Sequence, residues 1–548
     1  MGVCDEKTQY LRLCMIRWLI GGLVASITLG VALSFSWGPG ELQHMSSWHV
    51  KVDPTTKKAK NEYDVIVVGG GFGGLSCGAL LAKNGYKVLV LEKNQTVGGL
   101  CTSYVADGYQ FCYGAQDIGG LAEIGPISFL LKQLGLKKEE LFTPNTHGFF
   151  DGTNLINVPA GPNSFEQAML QAFPKETDAI HRFFAKAKSV LAEGADPEML
   201  QKWGIILPSE LVAKVMPEAW VKNYAATHKN LLEWSDKPYQ DVLDEYFTNP
   251  DLKVILSAPV SYLGSFPYNT PANNVMLGIF GAYLNGSYQP LGTAQKFAEV
   301  LASYISAHGG TVMCSQLVKK IIVDKAGVKG VEAGGLVYKA PVVVSNVNAK
   351  SAYFKLLDQD DLPQEFLKDL WSLPLGNSAF CIHLAVDHPL SAYPSIIQDR
   401  YSHVYIAIPS KNDPSAAPQG KSAVILREKV RFTNFIQNTP EETEKYVKEQ
   451  AADLLAKGTQ IIPELAKGTV VERVVTPSTF ADLADVPYGA IFGFDTSRSS
   501  LRPYFRAPIR GLYMANASSS GPGVPSVISE GILCAHDIMG WGQQTQSE

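Results

Sequence analysis

The 548-residue chain has only eight cysteines, and no two are spaced as a C-x-x-C pair. Scattered thiols exclude a disulfide scaffold and a zinc ribbon, and reduced, mostly buried cysteines are expected. Its ten histidines form no H-E-x-x-H or comparable group, so no metal site is expected. There is no basic excess either. A net charge of −5 leaves no surplus of cations to neutralise phosphates, so no nucleic acid partner is expected. No internal repeat of solenoid length is present. With 46% hydrophobic and 18% charged residues, the composition is that of a folded globular chain. Its length suggests two or three domains and a core large enough to enclose a deep ligand cavity.

One segment breaks the globular pattern. Trp18 to Trp37 carries no charge, and about 20 such residues suffice to cross a bilayer as a helix. The tryptophans at its ends suit the two interfaces. Residues 1–38 therefore read as an uncleaved membrane anchor in preference to a cleaved signal sequence, and residues 39–61, rich in Lys, Pro and Thr, as a linker. A single-pass anchor in the endoplasmic reticulum or another endomembrane is the expectation. Lysines and arginines flank the segment on both sides and leave its orientation open. Glycosylation sequons occur at Asn94, Asn285 and Asn516.

The body opens with Tyr63 to Val68, a buried-strand pattern. It enters Gly69-Gly70-Gly71-Phe72-Gly73-Gly74 and then a helix of small and apolar residues that Gly85 ends. Tyr86 to Leu91 forms a second strand closed by Glu92-Lys93. Residues 165–310 read as mostly helical, followed by short strands at 311–314, 318–323 and 341–345. A strand at 511–515, a glycine-rich loop over 518–525 and a helix over 526–539 complete the pattern.

A lone G-x-G-x-x-G is weak, but here Gly69, Gly71 and Gly74 follow a strand and open a helix, as a dinucleotide site requires. The first glycine permits the turn, the second lets a pyrophosphate approach the backbone, and the third lets helix and strand pack closely. The helix N-terminus offers free N–H groups and a positive dipole end to the phosphates. Glu92, about 20 residues further on, is placed to accept hydrogen bonds from both ribose hydroxyls and disfavours a 2′-phosphate. Two further features point to FAD in place of NAD. Gly98-Gly99, ahead of Leu100, lets the backbone pass close to a longer cofactor. Gly521 to Pro525 opens a late helix suited to the carbonyl edge of a flavin.

Together these motifs resemble the FAD-dependent carotenoid and retinoid oxidoreductases, which include phytoene desaturases, carotenoid isomerases and retinol saturases. The resemblance runs from about residue 62 to 540. It extends to Tyr288 to Gly292, Val318 to Val323, Val343-Val344-Ser345-Asn346 and Leu501-Arg502-Pro503. Phe173 to Glu176 and the anchor are similar to retinol saturases in particular. The resemblance implies that backbone near Val318 clamps the adenine and that Gly523-Val524-Pro525 lies against the isoalloxazine. This chain departs from the family pattern in four places. Leu100 replaces an Arg, Cys112 replaces an Asp, Gln116 stands where retinol saturases have a His, and Asn516 stands where many flavoproteins have an acid.

The expected cofactor-binding set is thus Gly69, Gly71, Phe72, Gly73, Gly74, Glu92, Lys93, Gly98, Gly99, Leu100, Val318, Asn346, Asn516, Gly523, Val524 and Pro525. Tyr113, Gln116 and Asp117 are candidates for the proton partner, although Gln116 does not titrate and Asp117 reads more readily as a structural hydrogen-bonder. The expected fold is α/β. A discontinuous Rossmann-like FAD-binding domain (62–150, 286–350 and 495–540) carries an inserted α+β substrate domain (151–285 and 351–494), which contacts the membrane. Two segments are candidates for lipid contact. Val260 to Tyr268 either lines a tunnel or packs as core. Met199 to Trp220 either faces the membrane or is buried.

The expected activity is hydride transfer between flavin N5 and a long apolar polyene, saturating or desaturating it. With one dinucleotide fingerprint, a net reduction needs electrons from a partner or from transient NAD(P)H contact. A redox-neutral double-bond isomerase of a carotenoid or polyunsaturated fatty acid, and a non-catalytic flavin-binding redox sensor, are the alternatives.

Overall fold

The computed structural model describes residues 50, 52–56, 58–123, 125–196, 200, 203–205, 218–399, 404–495 and 503–540. The anchor expected between Trp18 and Trp37 lies outside them. Among the described residues no helix is long and apolar enough to cross a membrane.

Five short strands form an all-parallel sheet in the order Leu512–Met514, Val342–Ser345, Val65–Val68, Val88–Leu91, Thr311–Met313. The three central strands are fully buried runs, mostly of Val and Leu, as a parallel sheet covered on both faces requires. One face is covered by the helices Phe72–Lys83, Thr293–Ala307 and Val524–Ile538. The other is covered by a three-stranded antiparallel meander (Val318–Asp324, Gly327–Ala333, Leu336–Lys339) and the helices Ala349–Lys355 and Gln364–Ser372. The sheet therefore draws its strands from three widely separated parts of the chain. The last helix begins at Val524, earlier than expected, because the backbone becomes helical directly after Gly523.

A second, seven-stranded mixed sheet lies beside the first. Its order is Thr469–Val475, Ser378–Val386, Ser422–Val430, Tyr405–Ala407, Ile396–Asp399, His147–Phe150, Leu155–Val158. Grouping 62–150 with the cofactor segment places His147–Phe150 in the wrong sheet. That strand pairs in parallel with Ile396–Asp399, a partner no local pattern announces. The long helix Pro440–Ile461 packs on this sheet.

Between residues 164 and 285 the chain is helical and builds a separate aromatic core. Phe183 is fully buried at its centre, with the rings of Phe184, Trp234, Tyr246, Phe247 and Phe280 at centroid distances of 5.3–6.0 Å. In the 199–220 segment the described Trp203 and Ile205 are buried against the parallel-sheet core, so these two do not face a membrane. Ile206, Leu207, Val212, Val215 and Met216 lie outside the described residues. Of the described cysteines, Cys77, Cys101, Cys112, Cys381 and Cys534 are free and buried, and Cys314 is free and partly buried.

Removing the Phe183 ring leaves a cavity that five neighbouring rings cannot collapse to fill. Phe183→Ala is expected to destabilise the protein by about 3–5 kcal/mol, read from the shift in a denaturant midpoint at unchanged slope.

Candidate functional site

The glycine turn sits where the three sheet segments meet. Gly69 N–H donates to Leu91 O (2.8 Å), and Gly71 caps the Phe72–Lys83 helix without any side-chain cap, so the first N–H groups of that helix stay available. The Asn346 backbone N–H donates to Val68 O (2.8 Å). Its side-chain oxygen accepts from Gly71 N (3.0 Å), and its amide nitrogen donates to Ala515 O. Gly73 is the close-approach position: a Cβ there would collide with Ala515 O. Gly74 differs from the rest of the expected set. It does not line the cavity, because it packs inward, where a Cβ would lie 2.6 Å from Gly69 O and 2.7 Å from a Val67 methyl. It is a helix–strand packing residue and not a ligand contact.

Glu92 closes the second strand. Its carboxylate accepts from Gly70 N (2.7 Å) and Asn94 N (2.8 Å), leaving acceptor capacity for a ligand. Burial raises its pKa, and those two N–H bonds only partly offset the effect. Gly98 N–H donates to Gly70 O (2.8 Å), so the Gly98-Gly99 pair is pinned to the first glycine turn. Lys93 reaches away, donating to Asp482 O at 2.5 Å. Asn516 is buried, donates to Val347 O (3.0 Å) and accepts from Ser518 N (2.8 Å). The sequons at Asn94 and Asn516 are thus engaged in structure, since the Asn94 amide also donates to Leu483 O (2.8 Å).

These residues line one continuous cavity of about 560 Å³. Gly69, Gly71, Phe72, Gly73, Glu92, Lys93, Gly98, Gly99, Leu100, Val318, Asn346, Asn516, Gly523, Val524 and Pro525 all border it, as do Tyr113, Gln116 and Asp117. It runs on between the helical layer and the seven-stranded sheet. Of the 260–268 segment, Tyr262 and Leu263 line it, Val260 is core, and Phe266 and Tyr268 are exposed.

The three proton-partner candidates have different surroundings. Asp117 sits in a buried knot, accepting from Tyr262 Oη (2.7 Å), Asn145 Nδ2 (3.0 Å) and Ser287 Oγ, with His147 Nε2 at 3.1 Å. Burial alone would raise its pKa, but His147 and the hydroxyl donors outweigh it and hold the carboxyl at about 2. A carboxyl held that low carries a negative charge at neutral pH and serves its neighbours as a hydrogen-bond acceptor, the structural task that its sequence reading preferred. Gln116 donates to Cys112 O (2.9 Å) and accepts from Arg427 Nη2 (3.1 Å). The Tyr113 hydroxyl meets Arg473 Nη1.

Sequence reasoning missed Tyr405, Arg427 and Lys429, which line the cavity from the seven-stranded sheet. One local signal was available. In the Ser422–Val430 strand an apolar run gives way to Arg-Glu-Lys, and period-two alternation puts both cations on one face.

A family model described as an NAD(P)-binding Rossmann-like domain matches residues 67–131. The prolycopene isomerase of Daucus carota is 25% identical over 505 residues, covering 87% of this chain and 80% of that protein. The all-trans-retinol 13,14-reductase of Danio rerio is 25% identical over 540 residues, covering 88% and 87%. The chain is a relative of the carotenoid and retinoid oxidoreductases. Its fold is that of an oxidoreductase from Methanosarcina mazei, with a TM-score of 0.59 and 18% identity over 86% of this chain and 99% of that one. The cradle of this relative thus has the shape for a dinucleotide, and the likeness to the isomerases and reductases runs through both sheets.

Two outcomes are expected. Asn346→Ala leaves Gly71 N–H and Ala515 O without their partner and should cost about 1–3 kcal/mol by chemical denaturation. The depressed pKa of Asp117 contributes stability that is fully present above about pH 4 and is lost as pH falls towards 2, about 2 kcal/mol in all. In Asp117→Asn the difference from wild type in denaturation midpoint should shrink over that window. A difference constant from pH 5 to pH 2 would show that this carboxyl is not depressed.

Proposed function

We propose that this protein is an FAD-dependent enzyme acting on carbon–carbon double bonds of a long apolar polyene, with a membrane-dissolved lipid as substrate. The observation that carries the reading is the continuity of the dinucleotide cradle with a largely apolar cavity. The cradle fits FAD: Gly73 admits no side chain, the helix N-termini at Gly71 and Gly523 carry no side-chain cap, and Glu92 keeps acceptor capacity.

Bound FAD supplies a hydride donor or acceptor at its N5. The protein's own residues do the remaining work. The backbone from Gly69 to Gly73 holds the pyrophosphate, Glu92 the adenosine ribose, the Gln316–Val318 backbone the adenine, and the Gly523–Pro525 turn the flavin carbonyl edge. Leu263, Leu277, Ile279, Ile491 and Phe492 exclude water from the substrate chain. Tyr262 is a cavity-wall hydroxyl that orients the Asp117 carboxylate. Burial and then Asp117 raise its pKa, so it stays protonated with its O–H directed to the Asp117 carboxylate.

Relatives named for isomerisation and for reduction leave two directions of chemistry. Isomerisation is favoured as a second reading by the single dinucleotide cradle among the described residues. Net saturation would draw electrons from NAD(P)H in transient contact or from an external donor.

The test is the visible spectrum of the purified protein, then anaerobic incubation with polyenes. Flavin bands released on denaturation are expected. Bleaching by substrate marks hydride removal, and a changed polyene of unchanged mass marks isomerisation. A colourless protein that FAD cannot reconstitute would refute the reading.

A further inference from the structure

Two cations enter the cavity from one strand. Arg427 and Lys429 stand two residues apart on Ser422–Val430, so both side chains leave the same face, and both line the cavity. Glu428, between them, points the other way and pairs with Lys457 at 2.6 Å. The strand's own acid is therefore spent elsewhere.

The partners on the cavity side are neutral. Arg427 Nη2 donates to Gly114 O (2.7 Å), Gln116 Oε1 (3.1 Å) and Tyr113 O (3.3 Å), and its guanidinium lies 5.4 Å from the Tyr405 ring centroid. Lys429 Nζ donates to Ser265 O (3.3 Å) and lies 4.3 Å from the Phe266 ring centroid. No ion pair joins Arg427 or Lys429 to a carboxylate of the described residues. The nearby acid of the cavity wall, Asp117, is saturated by its own knot. Burial lowers the pKa of Lys429, with Asp495 acting against it. The neighbouring His383 is kept neutral, its pKa lowered to about 3 by burial and then by Arg427 and Arg473. A desolvated cation without a direct ion pair is costly to hold, and Asp495 acts on Lys429 only through space, so two cations on one face of an apolar cavity make a site that an anion would complete.

We propose that Arg427 and Lys429 form an anion subsite in the substrate cavity and that the substrate is a polyene chain ending in a carboxylate. The carboxylate accepts from the guanidinium and the ammonium, and the apolar walls take the chain. The distance from the carboxylate then sets which double bond is presented to the cofactor. This inference rests on the polyene reading above and narrows its substrate class.

The FAD-loaded full-length protein is titrated with all-trans-retinoic acid, all-trans-retinol and methyl retinoate, following the perturbation of flavin absorbance. The acid is expected to bind at least about tenfold more tightly than the alcohol or the ester, because its hydrogen bonds are made between charges. Arg427 also braces the Tyr113–Gln116 turn, so Lys429→Met and the charge-conserving Arg427→Lys are the variants compared. Lys429→Met should bring the acid-to-alcohol ratio close to one, and Arg427→Lys should reduce it in part. Equal binding of acid and alcohol by the wild type would overturn this inference and leave the polyene reading standing. An unchanged ratio in Lys429→Met with a shifted flavin midpoint potential would overturn it too, and would assign the cations to the flavin. An intact flavin spectrum that no polyene perturbs would overturn both.

Discussion

The amide of Asn346 holds together three parts of the chain that are far apart in sequence. Its backbone follows the Val342–Ser345 strand, and its side chain reaches the glycine turn at Gly71 and the end of the last strand at Ala515. One carbonyl oxygen and one NH₂ group satisfy an N–H donor and a C=O acceptor that would otherwise be stranded beside a ligand site. No other side chain of this size offers both in a plane without a charge. The close approach of Gly73 to Ala515 depends on this clamp, because helix and strand meet there with no side chain between them. Glu92 repeats the device on the other side of the turn, tying Gly70 to Asn94. The cradle is thus rigid before any ligand arrives, which lowers the ordering cost of binding.

Electrostatics divides the cavity in two. The cradle end is built from backbone dipoles and one acid, so it suits phosphates and ribose hydroxyls. The far end sets one negative charge, Asp117, against two cations on the seven-stranded sheet. The oxygens of Asp117 are satisfied by donors within its own knot, whereas the hydrogen bonds of the two cations go to carbonyl oxygens, an amide oxygen and the Cys381 thiol, with Asp495 acting on Lys429 through space. The low dielectric of an apolar cavity magnifies that asymmetry.

The cradle was legible in the sequence because each of its parts is local. A buried strand, a glycine turn and a helix must follow one another within a few residues, and an acid must close the next strand. Asn346 was reached through family resemblance and the Gly521–Pro525 turn through the glycines that open a late helix, and the fold places Asn346 and Gly523–Pro525 at the same cavity. What was illegible is non-local. The Asp117 knot joins residues from four segments, and His147–Phe150 finds its partner strand some 250 positions away, so neither leaves a local pattern. Gly74 stands in the binding set only as a member of the motif, and the geometry gives it the helix–strand packing task read from its place there. The cations at 427 and 429 were visible as alternation, but alternation alone does not tell a cavity from solvent.

The turn from Tyr113 to Asp117 joins the two halves of the site, and one departure from the family pattern, Gln116, sits on it. Gln116 uses both ends of its amide, one for Cys112 O and the other for Arg427. A histidine at that position would face the guanidinium directly, and its protonated form would be penalised by both burial and like charge, as His383 shows nearby. An amide makes the same two contacts with no dependence on pH. Position 116 is therefore a brace between the cofactor side and the cation pair, and it has no proton to offer. Nearby, Tyr262 donates its hydroxyl to Asp117 and packs its ring against Tyr405, the ring that Arg427 also covers. Under the proposed reading, the cation pair that would anchor the substrate and the Asp117–Tyr262 hydrogen bond border one cavity, with Gln116 tied to the first by Arg427 and next in sequence to the second.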